Sequence, residues 1–388
     1  MQLPSTTDIL IVGAGPAGLA LATELRRRKV EALLIDKQAE GANTSRAAVV
    51  HARTLEVLEP LGIVPQMLED GVVIPIFRAR DRDRALLEVD FRHLETQTRY
   101  AFTLMCPQNR TEAILLARLK ALGGGVSRPL ELTGFRADSE RVDAQIKAPD
   151  GIHRLRAKWL VGCDGAHSFV RDNSGINFEG GAYEQGFVLA DVRMDWPLSR
   201  GEVSLFFSPA GLVVVAPLPD DQFRIVATVD DPPEKPDIAY VQGIIDVRGP
   251  TKGERRIREV VWGSRFRIQH RVVATFRSGR VLLCGDAAHV HSPAGGQGMN
   301  TGIQDAIAVA EPLIRALTNG DAEGLDAWSE RRREIAKSVV SLTDRMTRAA
   351  TLKSWPAELL RNAAISLIGH LPGMPDRIAR QLAELDNR

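Results

Sequence analysis

The sequence predicts an α/β fold, α+β overall, in which a mixed, largely parallel sheet is combined with an antiparallel sheet and with C-terminal helices. Three observations predict this arrangement. A buried strand, Asp8 to Val12, runs directly into a glycine-rich turn and a helix. Short alternating strands fill the stretch from Gly186 to Gln269, and helical spacing dominates after Gly298.

Composition narrows the class of protein. The chain has 388 residues, enough for two or three domains, and its 50 basic residues balance its 49 acidic ones, which gives no case for nucleic acid or an anionic membrane. Cys106, Cys163 and Cys284 lie far apart and form no zinc spacing, so we expect reduced thiols, a cytoplasmic location and no metal site. No run of about 18 apolar residues predicts an integral membrane segment.

The first strand leads into GAGPAG at positions 13–18, with Gly13, Gly15, Ala17 and Gly18 in the turn. The first glycine of such a turn permits the bend, the second lets backbone approach a pyrophosphate, and the third lets the helix pack on the sheet. The next predicted strand ends in Asp36, a carboxylate suited to a ribose diol. We therefore predict a Rossmann-like dinucleotide site, although this pattern does not distinguish FAD from NAD.

Two later strands also end in an acid beside glycine. A predicted strand from Trp159 to Cys163 precedes Asp164, and the run that ends at Cys284 precedes Gly285 and Asp286. After Asp286 the chain reads AAHVHSPAGGQGMN, in which Pro293 fixes the path, Gly296 permits close approach, and the amides of Gly298, Met299 and Asn300 begin a helix. The plain alternative is an ordinary glycine-rich connection.

The rest of the chain is assigned by pattern. Residues 74–100 alternate as a hairpin, residues 142–148 and 153–157 flank a Pro-Asp-Gly turn, and residues 111–122 form a helix. Phe206, Phe207, Val213 and Val215 line either a ligand cavity or, as we favour, an ordinary core. We expect a discontinuous nucleotide domain (1–75, 100–185 and 270–345), a sheet domain (76–99 and 186–269) and a helical segment (346–388).

With these motifs in place, the sequence resembles the flavoprotein aromatic hydroxylases, single-component FAD monooxygenases typified by para-hydroxybenzoate hydroxylase. GAGPAG at 13–18, CDGAHSFVR at 163–171 and GDAAHVHSPAGGQGMN at 285–300 occur in the family's order. The resemblance runs from about residue 8 to residue 342 and implies an FAD-binding domain covered by a sheet that chooses the substrate. Some larger relatives add a thioredoxin-like domain, and this chain resembles the shorter members.

The resemblance also implies roles for individual residues. Asp36 would hold the adenosine ribose, where the family more often has glutamate, and Asp286 the ribityl or phosphate part of FAD. The amides from Gly298 to Asn300 would stabilise the reduced flavin, and Pro293 would lie against its ring. Asp164 and Arg171 match a motif for FAD and NAD(P)H, or else tie a loop to the sheet. Further cofactor contacts carried over by position are Lys37, Arg46, Gln108, Leu132 and Gly296.

The implied activity is NAD(P)H-dependent hydroxylation of an aromatic or polyketide-like molecule, with NADH or NADPH as reductant and O₂ adding to FAD as a flavin hydroperoxide. Catalytic candidates are Pro293, His291 and Arg46. The base is left open between His291 and His51, while His289 is interpreted as structural. The alternative is a flavin-dependent reductase or dehydrogenase of the same fold, and a non-catalytic FAD- or prenyl-binding escort is disfavoured. We expect a monomer or homodimer.

Overall fold

The structure is a computed structural model that describes residues 3–41, 47–350 and 355–388, without the side chains of residues 183–185, 267–268 and 355. Arg46, predicted to contact the cofactor and to take part in catalysis, lies outside the described residues. The strands are β1 (Thr6–Val12), β2 (Leu33–Ile35), β3 (Val49–Val50), β4 (Val72–Ile74), β5 (Ile76–Asp81), β6 (Arg84–Asp90), β7 (Thr103–Met105), β8 (Glu131–Ala137), β9 (Val142–Ala148), β10 (Gly151–Gly162), β11 (Phe178–Met194), β12 (Glu202–Ser208), β13 (Gly211–Pro217), β14 (Phe223–Val229), β15 (Ile257–Val273), β16 (Arg277–Ser278), β17 (Val281–Leu283) and β18 (His289–Val290).

The helices are α1 (Pro16–Arg27), α2 (Ala52–Leu58), α3 (Val64–Asp70), α4 (Gln108–Ala121), α5 (Phe169–Asp172), α6 (Ile238–Arg248), α7 (Gly298–Asn319), α8 (Glu323–Ala350), α9 (Trp355–His370) and α10 (Met374–Leu382). The predicted C-terminal helices are confirmed. Among the described residues, no helix combines the length and apolarity needed to cross a membrane.

A seven-stranded sheet carries the nucleotide-binding motifs. Its strand order is β16-β17-β10-β1-β2, with β9 beside the first half of β10 and β8 beside β9. Strands β2, β1, β10 and β17 are parallel, so their carboxyl ends meet at one edge, as the sequence predicted. The separate strand predicted from Trp159 to Cys163 was wrong, because β10 runs unbroken from the hairpin turn to Gly162.

The second sheet has eight strands in the order β18-β15-β11-β14-β13-β12-β5-β6. It is antiparallel as predicted except that β5 pairs with β12 in parallel. Helix α6 was not predicted; it covers one face and forms a core there with Phe206, Val213 and Val215. Those three side chains are therefore core, the reading favoured from the sequence.

The opposite face of this sheet carries a row of apolar side chains that stay half-buried. Leu205 pairs with Val214, and Val214 pairs with Val226, across β12, β13 and β14. Successive side chains of a strand point to opposite faces, so this row faces away from α6. Leu205 and Val214 pack against the large core that contains residues of β1 and α7 as well as of β5 and β6.

Short connections bring the glycine-rich loop after Asp286 between the two sheets. Strand β18 joins the edge of the eight-stranded sheet through β15, while β17, just before the loop, belongs to the seven-stranded sheet. A third, small sheet, in the order β3-β7-β4, lies beside the start of α7. The loop from Gly285 to Asn300 is thus held by elements of all three sheets.

Candidate flavin site

The turn between β1 and α1 shows why its glycines are needed. Gly13 has a φ of +100°, and a Cβ there would lie 2.3 Å from the carbonyl oxygen of Cys163. A Cβ on Gly18 would lie 1.9 Å from the Gly13 oxygen, so α1 packs directly on the turn. Gly15 differs: it precedes the first turn of α1, and no heavy atom lies within 4 Å of its hypothetical Cβ. Open space at a helix N-terminus is a cradle for a pyrophosphate.

Asp36 follows β2 at the same edge of the sheet. Its Oδ2 accepts a hydrogen bond from the Ala14 amide at 2.7 Å, and its Oδ1 accepts one from the Gln38 amide at 2.8 Å. The carboxylate is thereby fixed beside the glycine turn, where a ribose next to a pyrophosphate would lie. The Lys37 side chain is exposed.

Gln108 is the first residue of α4. Its amide donates to the Ala47 oxygen at 2.9 Å, and its side-chain Nε2 donates to Glu112 at 2.8 Å. Leu132 lies on β8 with its side chain in the core, so only its backbone is available to a ligand.

The Asp164 carboxylate is occupied by its own loop. It accepts hydrogen bonds from the Ser168 hydroxyl and from the Val170 amide at 3.0 Å, at the start of α5. Burial raises the pKa of Asp164 above its ordinary value, against the effect of these hydrogen bonds. Arg171 donates to the Ala166 oxygen at 3.0 Å and the Ala287 oxygen at 3.4 Å. These contacts favour the structural reading of the motif, in which it ties two loops together.

A buried ionic cluster, which the sequence analysis missed, holds the Gly285–Asp286 turn in place. Asp305 on α7 accepts from the Gly285 amide at 3.2 Å and lies 2.6 Å from His289 Nε2, while Arg332 on α8 donates to its other oxygen. Burial opposes ionisation, but Arg332 and His289 hold the pKa of Asp305 below its usual range. The signal available in the sequence for this cluster was Asp305, a charged residue among the apolar positions of α7. The Asp286 side chain points outward and is exposed.

The loop that follows has an exposed proline and two glycines in the left-handed region. Pro293 is exposed, and Gly295 and Gly296 have φ values of +80° and +66°. A Cβ on Gly296 would lie 2.6 Å from the Val49 side chain. This close approach fixes the loop against β3.

Helix α7 begins directly after this loop. Gly298 is its first residue, followed by the half-buried Met299. Asn300 is fully buried, and its Nδ2 donates to the Val49 and Gly296 oxygens at 2.8 and 2.7 Å. The first amides of α7 are therefore held rigidly at the sheet edge, at a helix end that favours negative charge.

Two histidines flank the loop, and both are neutral at pH 7. Burial lowers the pKa of His51 and of His291 to about 4, and His289 adds to the effect on His291. His51 is fully buried, with Nε2 2.7 Å from the Gly295 oxygen. His291 has Nδ1 2.9 Å from the Ser292 oxygen and Nε2 without a hydrogen-bond partner among the described residues. Its ring also lies 3.8 Å from the position of a Cβ on Gly298.

Comparison with known proteins agrees with this geometry. A family model described as FAD binding domain matches residues 6–343. The chain is 35% identical to 6-methylpretetramide 4-monooxygenase of Streptomyces rimosus, over 97% of this chain and 68% of that protein. It is 30% identical to pentachlorophenol 4-monooxygenase of Sphingobium chlorophenolicum, over 95% of this chain and 66% of that protein.

Solved structures give the same result. The p-nitrophenol 4-monooxygenase of Pseudomonas putida DLL-E4 superposes with a TM-score of 0.89 at 25% identity, covering 99% of this chain and 98% of the other. The Gly15 cradle, the Asp36 carboxylate beside it and the N-terminus of α7 fit a bound FAD. The chain belongs to this FAD-binding family, of the para-hydroxybenzoate hydroxylase type, and is an FAD-dependent monooxygenase.

Proposed function

We propose that this enzyme hydroxylates a flat aromatic or polyketide-like molecule, with NADH or NADPH as reductant and O₂ as the oxygen source. The observation that carries the substrate class is a row of three half-buried apolar side chains, Leu205, Val214 and Val226, on the face of the eight-stranded sheet opposite α6. Leu205 and Val214 pack against the core that this sheet shares with the flavin-binding sheet. An apolar wall of this kind suits an aromatic ring and excludes water. The relatives named for 6-methylpretetramide, pentachlorophenol and p-nitrophenol support the same class.

When bound, FAD supplies the redox chemistry, and the residues of the chain bind it and exclude water. Gly15 and the N-terminus of α1 take the pyrophosphate, Asp36 takes the ribose, and Asp286 contacts the ribityl or phosphate part. We propose five further cofactor contacts, for which the structure gives less geometric support: Gln108, Lys37, Leu132, Gly296 and Asp164. The amides of Gly298 to Asn300 stabilise negative charge at the flavin end of the site.

Residues of the loop are assigned the remaining roles. Pro293, which is exposed, forms the wall against the flavin ring. The unpartnered Nε2 of His291 accepts a hydrogen bond from the substrate hydroxyl and orients it, because Nδ1 already faces the Ser292 oxygen and the lowered pKa keeps the ring neutral. His51 holds Gly295 from below and positions the loop.

Single-turnover experiments test the proposed reaction. Reduced enzyme is mixed with ¹⁸O₂ and a panel of phenols and polycyclic aromatics, and product is analysed by mass spectrometry. Incorporation of one ¹⁸O atom, together with substrate-stimulated NAD(P)H oxidation, supports hydroxylation. Turnover that proceeds without oxygen would instead establish the reductase alternative.

The proposal also covers the domain division, the cellular location and the oligomeric state. The division into a discontinuous FAD domain (1–75, 100–185 and 270–345), a sheet domain (76–99 and 186–269) and a helical segment (346–388) is supported by the membership of β5 and β6 in the eight-stranded sheet. Three buried cysteines without disulfides support a cytoplasmic location. The protein is proposed to be a monomer or homodimer, which sedimentation would decide.

A further inference from the structure

Arg128 lies beside the ribose-binding acid and has no role in the site as described so far. The segment around it runs along the end of β2: Ser127 N–H donates to the Leu34 oxygen, Asp36 N–H to the Ser127 oxygen, and Leu130 N–H to the Asp36 oxygen, at 2.8 to 3.1 Å. This backbone pairing fixes Arg128 next to Asp36. The backbone pairing alone therefore places Arg128 at the edge of the site.

The guanidinium of Arg128 is largely buried but poorly paired. Its side chain is 14% exposed, and its nearest acid oxygen, on Asp36, is 3.9 Å from Nη2, beyond hydrogen-bond length. Its Nε is buried without a partner among the described residues. Burying a cation in this way is costly unless another group accepts its hydrogen bonds.

The surroundings of Arg128 indicate the kind of group that is missing. Glu112 on α4 is buried, and burial raises its pKa, while the hydrogen bond from Gln108 and the positive charge of Arg128 act in the opposite direction. Arg128 therefore acts electrostatically on Glu112 as well as on Asp36, without a hydrogen bond to either carboxylate among the described residues. Arg128 also lines a cavity of about 270 Å³ whose other walls are mainly apolar, with Leu3, Pro4, Leu130, Ala148 and Pro149 beside Ser127 and Asp150. A cation at the rim of an apolar slot, next to a ribose-binding acid, suits a flat heterocycle that carries hydroxyl and ring-nitrogen acceptors.

We propose that Arg128 binds the adenosine end of FAD, where its guanidinium donates hydrogen bonds to adenosine oxygen or nitrogen atoms and completes the ribose site with Asp36. It contributes to cofactor affinity and not to the oxygen chemistry. Arg128 contacts the adenosine half of the cofactor alone, whichever aromatic molecule is hydroxylated.

Calorimetric titration of apo-protein with FAD, ADP and FMN tests this role. Arg128→Met keeps most of the side-chain length without the charge and is expected to weaken FAD and ADP binding about 10- to 100-fold, the value of one or two lost charged hydrogen bonds. FMN lacks the adenosine group, so its affinity is expected to stay within about twofold of wild type. Arg128→Lys keeps the charge without the planar fork and should fall between the two.

Arg136→Met on the neighbouring strand β8 is the matched control, because its side chain is exposed; it should leave all three affinities unchanged. If Arg128→Met folds with wild-type thermal stability and binds ADP as well as wild type, the proposal is wrong. A uniform loss of FAD, ADP and FMN binding with a lower melting temperature would also overturn it, since that result indicates a structural arginine only.

Discussion

Gly15 offers a direct test of the cofactor cradle, because the structure separates its role from that of its neighbours. A Cβ on Gly15 meets no heavy atom within 4 Å, and its φ of −77° is open to alanine. Gly15→Ala should therefore change the free energy of unfolding of apo-protein by no more than about 1 kcal/mol. The added methyl group occupies the space of the pyrophosphate, so the Kd for FAD should rise at least about tenfold, or about 1.4 kcal/mol.

Two other glycine variants serve as comparisons for Gly15→Ala. Gly18→Ala places a methyl group 1.9 Å from the Gly13 oxygen and should destabilise the apo-protein itself. Gly125→Ala, also without a neighbour within 4 Å, is the matched control and should alter neither stability nor FAD affinity. Chemical denaturation and flavin fluorescence titration measure the two quantities. Unchanged FAD affinity in folded Gly15→Ala would refute the placement of the pyrophosphate over this turn.

Asp305→Ala, Glu384→Gln and Val214→Asp test three other parts of the structure. Asp305→Ala leaves the buried Arg332 unpaired and should cost about 3–5 kcal/mol of unfolding free energy, measured by urea denaturation. Burial raises the pKa of Glu384 from 4.5 to about 8. The folded state thus binds this proton more tightly, so wild-type stability should fall by a few kcal/mol as pH rises through that window, while Glu384→Gln should lack that part of the slope. Val214→Asp puts a charge in the apolar row and should weaken binding of the aromatic substrate at least about tenfold, with FAD affinity unchanged in a parallel titration.

Much of the fold was predictable because the signals are local. The glycine turn, the acids at strand ends and the alternating strands are each written within a few consecutive residues, and the structure places Gly13, Asp36 and Asp286 at or beside strand ends. Helix α6 also had a local signal, since Val241, Ile244 and Ile245 share one buried helical face. It was missed because Gly243 interrupts the pattern, although Asp237 caps the helix.

The rest depends on contacts between residues distant in sequence. The parallel pairing of β5 with β12 joins residues more than a hundred positions apart, and no local pattern distinguishes it from an antiparallel pairing. The ion pair of Asp305 with Arg332 and the proximity of Arg128 to Asp36 are likewise set by packing. The motifs at the strand ends were thus easier to predict than the buried contacts that hold them in place.

The C-terminal segment also holds a predicted motif in place through contacts between residues distant in sequence. The backbone oxygens of Leu382 and Ala383 accept hydrogen bonds from Gln297 Nε2 at 3.2 Å and from the Arg53 amide at 3.1 Å. The Leu382 side chain lies 3.4 Å from the position of a Cβ on Gly295, and Glu384 accepts from Gln304 on α7. Each contact falls on the glycine-rich loop, on α7 or on α2 behind them. Residues 382–384 therefore pack against the loop that carries Pro293 and help to fix its position.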